Sequence, residues 1–237
     1  MDTLIVSISL AWALIWRADS ELLQIVSLSL RVSGTACLFG ALVGLAFGAA
    51  LAVLRFRGQR AVVWLLNTLL ALPSVVVGLL VYLMLSRAGP LGSLGILFTP
   101  SAMVIAQSIL VVPLIAALTR RLVLNVMLEG GDQLRSMGAG PLTTAALLLV
   151  HDRMGVLTVL LTAFGRAVSE VGAVMIVGGN IDGLTRVMTT AIALETSKGD
   201  LALALALGFV LLAVVGIVNL VVVAVQGVTA TEKAALA

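Results

Sequence analysis

Five apolar runs, each long enough or nearly so to cross a bilayer as a helix, limit what this chain can fold into. They extend from Val26 to about Leu54, Ala61 to about Ser86, Ser101 to about Leu118, Gly155 to about Val177 and Leu201 to about Val225. About 20 helical residues cross ~30 Å of hydrocarbon. Within lipid the backbone must satisfy its own hydrogen bonds, so each run is expected as a helix. Apolar residues make up 61% of the 237 and charged residues 11%, with a mean hydropathy of +1.23. That composition belongs to an integral membrane protein, all-α, and not to a soluble domain. The net charge of +3 does not indicate nucleic acid, because the basic residues are scattered at the ends of the runs with no patch of interleaved aromatics.

Before the first run, Leu4 to Trp16 is apolar but too short to span. A signal peptide fits poorly: Asp2 stands where a basic segment would be, and no small-residue cleavage site precedes Arg17. Trp12 and Trp16, four apart, favour a helix lying at the interface. Residues 1–21 are therefore expected as an external interfacial segment, 22–226 as the transmembrane domain and 227–237 as a cytoplasmic tail. In the first run Gly40, Gly44 and Gly48 repeat every four residues, which puts a ridge without side chains on one helix face. Close packing within one subunit and a dimer seam both use such a ridge. Pro73 and Pro113 fall inside the second and third runs, where each is expected to kink its helix, as packing or as a bend lining a pathway.

The longest water-facing segment, 128–153, separates the third and fourth runs and carries the breaking cluster Gly138, Gly140 and Pro141 between two helical pieces. A loop this long usually binds something. Arg55, Arg57, Arg60, Arg120, Arg121, Arg135, Arg153 and Lys233 gather on one side, against Arg17, Arg87, Arg186 and Lys198 on the other. The bias predicts a multi-pass inner-membrane protein with its N-terminus outside and its C-terminus in the cytoplasm. Arg166 and Glu170, one helical turn apart in the fourth run, share a face and can pair; both must face protein or water. Either they fix helix packing, or Arg166 stands on an anion's route. Asn180 to Asp200 reads as an outer polar loop.

No enzyme is indicated, since no nucleophile, base and acid gather at one level. Cys37 is alone in an apolar run, and His151 beside Asp152 and Arg153 reads as a solvated residue, so neither a metal nor a cofactor is expected. The only lysines, Lys198 and Lys233, follow no phosphate-binding glycine pattern, so any ATPase is another chain.

Asp132-Gln133-Leu134-Arg135-Ser136-Met137-Gly138 resembles the cytoplasmic EAA signature of ABC importer permeases, with Asp132 for the usual Glu and Gln133-Leu134 for the usual alanine pair. It also falls between the third and fourth spans, where such permeases carry it. Ala163-Phe164-Gly165-Arg166-Ala167-Val168-Ser169-Glu170-Val171-Gly172-Ala173, with Gly178-Gly179-Asn180 and Thr185 to Ile192, is similar to the molybdate/tungstate/sulfate branch of that family, most of all to its tungstate members. The resemblance implies a type I importer fold of five transmembrane helices plus a coupling helix. It also implies two copies of this chain, two copies of an ATP-binding subunit and an external substrate-binding protein. Asp132, Gln133, Leu134, Arg135, Met137 and Gly138 would then dock the ATPase. For a divalent oxyanion the hydroxyls of Ser169, Thr185, Thr189 and Thr190, with Arg166 and Glu170, are the candidate pathway residues; helix capping and turn formation are equally open to those hydroxyls. Molybdate or sulfate transport, or ATP-independent secondary transport of an anion, are the alternatives.

Overall fold

The computed structural model describes the backbone of residues 2–236 and the side chains of residues 6–128, 131, 133–134 and 136–227. It is all-helical, with no strand among the described residues. The helices are α1 Asp2–Trp16, α2 Ser20–Val53, α3 Gln59–Leu70, α4 Ser74–Leu85, α5 Pro100–Ser136, α6 Pro141–His151, α7 Arg153–Val168, α8 Gly172–Gly178, α9 Met188–Lys198 and α10 Leu201–Leu236. Ser20–Val53, Pro100–Leu128 and Leu201–Gly227 are long and apolar enough to cross a membrane. The count reaches five if α3 with α4 and α6 with α7, bent by 97° and 80°, are each taken as one broken span.

The apolar runs are interrupted more sharply than expected. Pro73 does not kink one helix; it separates two. Its ring cannot donate into a helical ladder, so α3 stops at Leu70 and Pro73, extended at φ −63° and ψ 125°, starts α4. Its carbonyl then receives the amides of Val76 and Val77 at 3.0 and 3.2 Å. Pro113, by contrast, stays inside α5, which runs on past Arg121 to Ser136. The fourth run likewise breaks after Val168 and resumes at Gly172. The stretch Asn180 to Asp200, expected as a loop, contains α9, whose Met188, Thr190 and Ala191 are fully buried. Its polar groups are satisfied locally: the Thr190 hydroxyl accepts the Val187 amide at 3.1 Å, and the Met188 amide reaches Ser29 Oγ at 2.7 Å.

The chain forms two compact units, Met1–Ala36, Pro73–Gln107 and Gly165–Ile217 in the first, and Cys37–Leu72, Ser108–Phe164 and Val218–Ala237 in the second. The first unit has a core in which Ala11 of α1, Leu22 and Ile25 of α2, Met188 and Ala191 of α9 and Leu207 of α10 meet. The short helix α1 is thus packed through Ala11 while Trp12 and Trp16 stay exposed. Within the same unit α4 lies along α8, with no room for a side chain at Gly78 over Ala173 or at Gly172 beside Ser74 and Val75.

In the second unit the glycine ridge of α2 is filled by α5. A Cβ on Gly40 would stand 2.8 Å from Val111, and one on Gly44 2.8 Å from Ile115 and 3.0 Å from the Val112 carbonyl, next to Pro113. Gly48 faces the Ala116 carbonyl and Thr119. Ala49 and Val53 of α2, Val123 and Val126 of α5, and Ala145 and Leu148 of α6 form the core beyond the ridge.

Candidate functional site

The interruption between α7 and α8 is the most heavily bonded polar region of the first unit. Three residues, Ser169 to Val171, leave the helical path, which frees carbonyls behind them and amides ahead of them. Ser169 Oγ donates back to the Gly165 carbonyl at 2.9 Å. The Ala167 carbonyl receives the Glu170 amide at 3.1 Å and the side-chain amide of Gln107 at 3.0 Å. The Glu170 carbonyl receives Thr189 Oγ1 at 2.8 Å.

Glu170 holds the junction together. Its Oε2 takes Arg166 Nη1 at 2.7 Å, while its Oε1 accepts the amides of Gly172 and Ala173 at 3.0 and 3.4 Å. The carboxylate therefore serves as the N-terminal cap of α8 and as an ion-pair partner at once. Ser74, the first residue of α4, lies beside Gly172, the first residue of α8. The starts of two interrupted helices thus lie side by side at this acid. Glu170 is 4% exposed, whereas the Arg166 side chain is 56% exposed. A guanidinium so placed keeps donors open to solvent.

The candidate hydroxyls do not gather on one lining. Thr185 Oγ1 is fully buried between the Gly178 carbonyl at 2.6 Å and the Ile181 amide at 2.9 Å, where it shapes the turn after α8. Thr190 closes the N-terminus of α9 on Val187. Thr189 ties α9 to the Glu170 backbone. Of the four, Ser169 alone is exposed, beside Arg166. Ser74 and Gln107 joined the junction without notice from the sequence; a glutamine within an apolar span was the available signal.

In the second unit, α5 ends as the Gly138, Gly140, Pro141 spacing predicts. Gly138 adopts φ +84°, and the Ala139 amide reaches back to the Leu134 carbonyl at 3.1 Å, a left-handed helix stop that glycine favours. Gly140 is extended, Pro141 opens α6, and Thr144 returns both its amide and its hydroxyl to the Gly140 carbonyl. Of the candidate coupling residues, Leu134 packs on the core, while Gln133 and Met137 are exposed, Met137 at 75%. A Cβ added at Gly138 would meet no atom within 4 Å. The side chains of Asp132 and Arg135 lie outside the described residues. Across the next turn Asp152 Oδ1 caps α7 through the Gly155 amide at 2.9 Å.

No protein-family model matches the chain. Individual proteins do. It is 43% identical to the tungstate uptake system permease protein TupB of Peptoclostridium acidaminophilum, over 91% of this chain and 95% of that protein. Against a probable anion ABC transporter permease protein of Haloferax volcanii the identity is 44%, over 84% of this chain and 88% of that one. The molybdenum transport system permease protein ModB of Escherichia coli is more distant, at 33% over 75% and 82%. Among solved structures, an inward-facing MetNI methionine ABC transporter chain superposes with a TM-score of 0.68 at 17% identity, covering 90% of this chain and 98% of its own. The all-helical fold is therefore that of an ABC importer transmembrane subunit, the identities lie in its oxyanion branch, and this multi-pass membrane chain belongs to the ABC transporter permease family that includes the tungstate and molybdenum permeases.

Proposed function

We propose that this chain is the membrane-spanning subunit of an ATP-driven tungstate importer, working as a homodimer with two copies of a separate ATPase and an external binding protein. The observation that carries the reading is the 43% identity to a tungstate permease along 95% of that protein's length. The 33% identity to a molybdenum permease makes molybdate the second reading.

In this account the ATPase docks on the turn from Asp132 to Gly138, within the cytoplasmic segment 128–153. The exposed Met137 and the bare surface at Gly138 support that role, because a partner can approach the backbone there. The N-terminal segment through residue 21 lies outside and the tail from residue 227 inside, as the arginine bias supports. Along the route, Arg166 is the cation the anion meets and Ser169 the hydroxyl beside it. Glu170, Thr185, Thr189 and Thr190 act one step back, holding the backbone that presents them. Partial cancellation of Arg166 by Glu170 suits a carrier, since a site that passes its anion on must not hold it tightly. The ridge of Gly40, Gly44 and Gly48, with Pro73 and Pro113, sets the packing and the bends of the helices.

Uptake of labelled tungstate into vesicles carrying the chain with its ATPase and binding protein, with molybdate and sulfate in tenfold excess, tests the substrate. Tungstate uptake that resists both competitors is expected. Stronger uptake of molybdate would move the assignment to the second reading.

A further inference from the structure

The second unit holds a cavity of about 390 Å³ beside the start of the 128–153 segment, whose Leu128 and Gly131 help to line it. Its walls include Val53 at the end of α2, Arg55 and Gln59 around the turn into α3, and Arg120, Leu124 and Met127 along α5. Two arginines share it, with no carboxylate among its described lining residues. Neither arginine forms an ion pair among the described residues. Arg120 Nε is shielded from solvent and has no hydrogen-bond partner among the described residues, which leaves a donor for a ligand to complete.

Gly58 at φ +92° turns the chain so that α3 begins at Gln59, which lines the cavity. Gln59 Nε2 is already spent on the Leu51 carbonyl at 2.9 Å, which holds the turn in place. The lining also includes the apolar Val53, Leu124 and Met127. A soluble anion has no use for these residues, and an acidic protein segment would leave the cavity half filled. A group with a phosphate head and a hydrocarbon tail matches both kinds of lining. The ends of spans flanked by arginines also stand where lipid headgroups lie.

We propose that this cavity binds the phosphate headgroup of an anionic membrane lipid, with Arg55 and Arg120 on the phosphate and an acyl chain along Leu124 and Met127. The choice of the cytoplasmic leaflet rests on the proposed orientation; the binding itself does not depend on tungstate being the substrate.

The test is titration of the full-length permease, purified in neutral detergent, with phosphatidylglycerol and with phosphatidylcholine, read by native mass spectrometry. Phosphatidylglycerol is expected to bind at least about tenfold more tightly, with R55Q and R120Q each lowering that affinity about fivefold, as one interfacial charge does. R57Q, outside the cavity, should change it less than about twofold. Unchanged melting of the variants in neutral detergent shows that they remain folded. Equal affinity for the two lipids, or an unchanged value in the double variant R55Q/R120Q, would overturn the proposal. So would complete displacement by inorganic phosphate, which would make the site one for a soluble anion. Displacement by the ATPase subunit, with R55Q/R120Q weakening that subunit's association, would assign the cavity to a protein interface instead.

Discussion

The chain interrupts its helices in two contrasting ways. At Ser169 to Val171 the break is stapled: Glu170 caps the helix ahead and pairs with the arginine behind, while Gln107 and Thr189 take up the loose carbonyls. At Met137 to Gly140 the break is bare, closed by one glycine with a positive φ and by backbone bonds of its own turn, with its side chains turned outward. Both breaks end a helix, yet only the first spends side chains from distant parts of the chain. A break held on every side fixes where a charge stands. One held by its own turn leaves its outer surface open.

Three substitutions probe that contrast, in order of effect. Glu170→Ala should cost most, about 2–3 kcal/mol, because it strips the charged cap from α8 and leaves the Gly172 and Ala173 amides without their acceptor. A large fall in the melting temperature and in the yield of folded protein is expected; a wild-type melting curve would show that the junction stands without its acid. Gln107→Leu removes one donor from the Ala167 carbonyl and should cost about 1–2 kcal/mol. If it were neutral, the buried glutamine would be a bystander and the junction less closely held than its geometry says. Gly138→Arg faces open space, so its cost is only the left-handed backbone, about 1 kcal/mol. Its effect should appear elsewhere, as ATPase activity no longer coupled to uptake in a chain that melts almost normally. Full ATP-driven uptake by this variant would remove the turn from the docking surface.

The difference between the two breaks also explains which features were legible in the sequence. Gly138, Gly140 and Pro141 announce the bare turn because the residues that make it lie within one stretch of eight, from Leu134 to Pro141. The Arg166 and Glu170 pair was visible for the same reason, through its spacing of one helical turn. The remaining staples were not, since Gln107 is 60 residues from the carbonyl it meets and α4 approaches only after folding. Pro73 marked its position correctly but understated its consequence: with no donor at the proline, the chain turned by 97° instead of kinking. Helix α9 was hidden by composition, because its threonines and Glu195 look solvated until their bonds to the backbone and to Lys198 are counted. Of the four hydroxyl candidates, Thr185 and Thr190 turned inward for the same reason: a backbone broken within an apolar core must find donors nearby, and threonine supplies them.

ATP dependence is the most direct measure of the whole account. Vesicles containing the chain, its ATPase and its binding protein should accumulate tungstate only when ATP is supplied, and not at all when the ATPase is left out. Accumulation that persists without the ATPase would contradict the account and would make the chain an ATP-independent transporter.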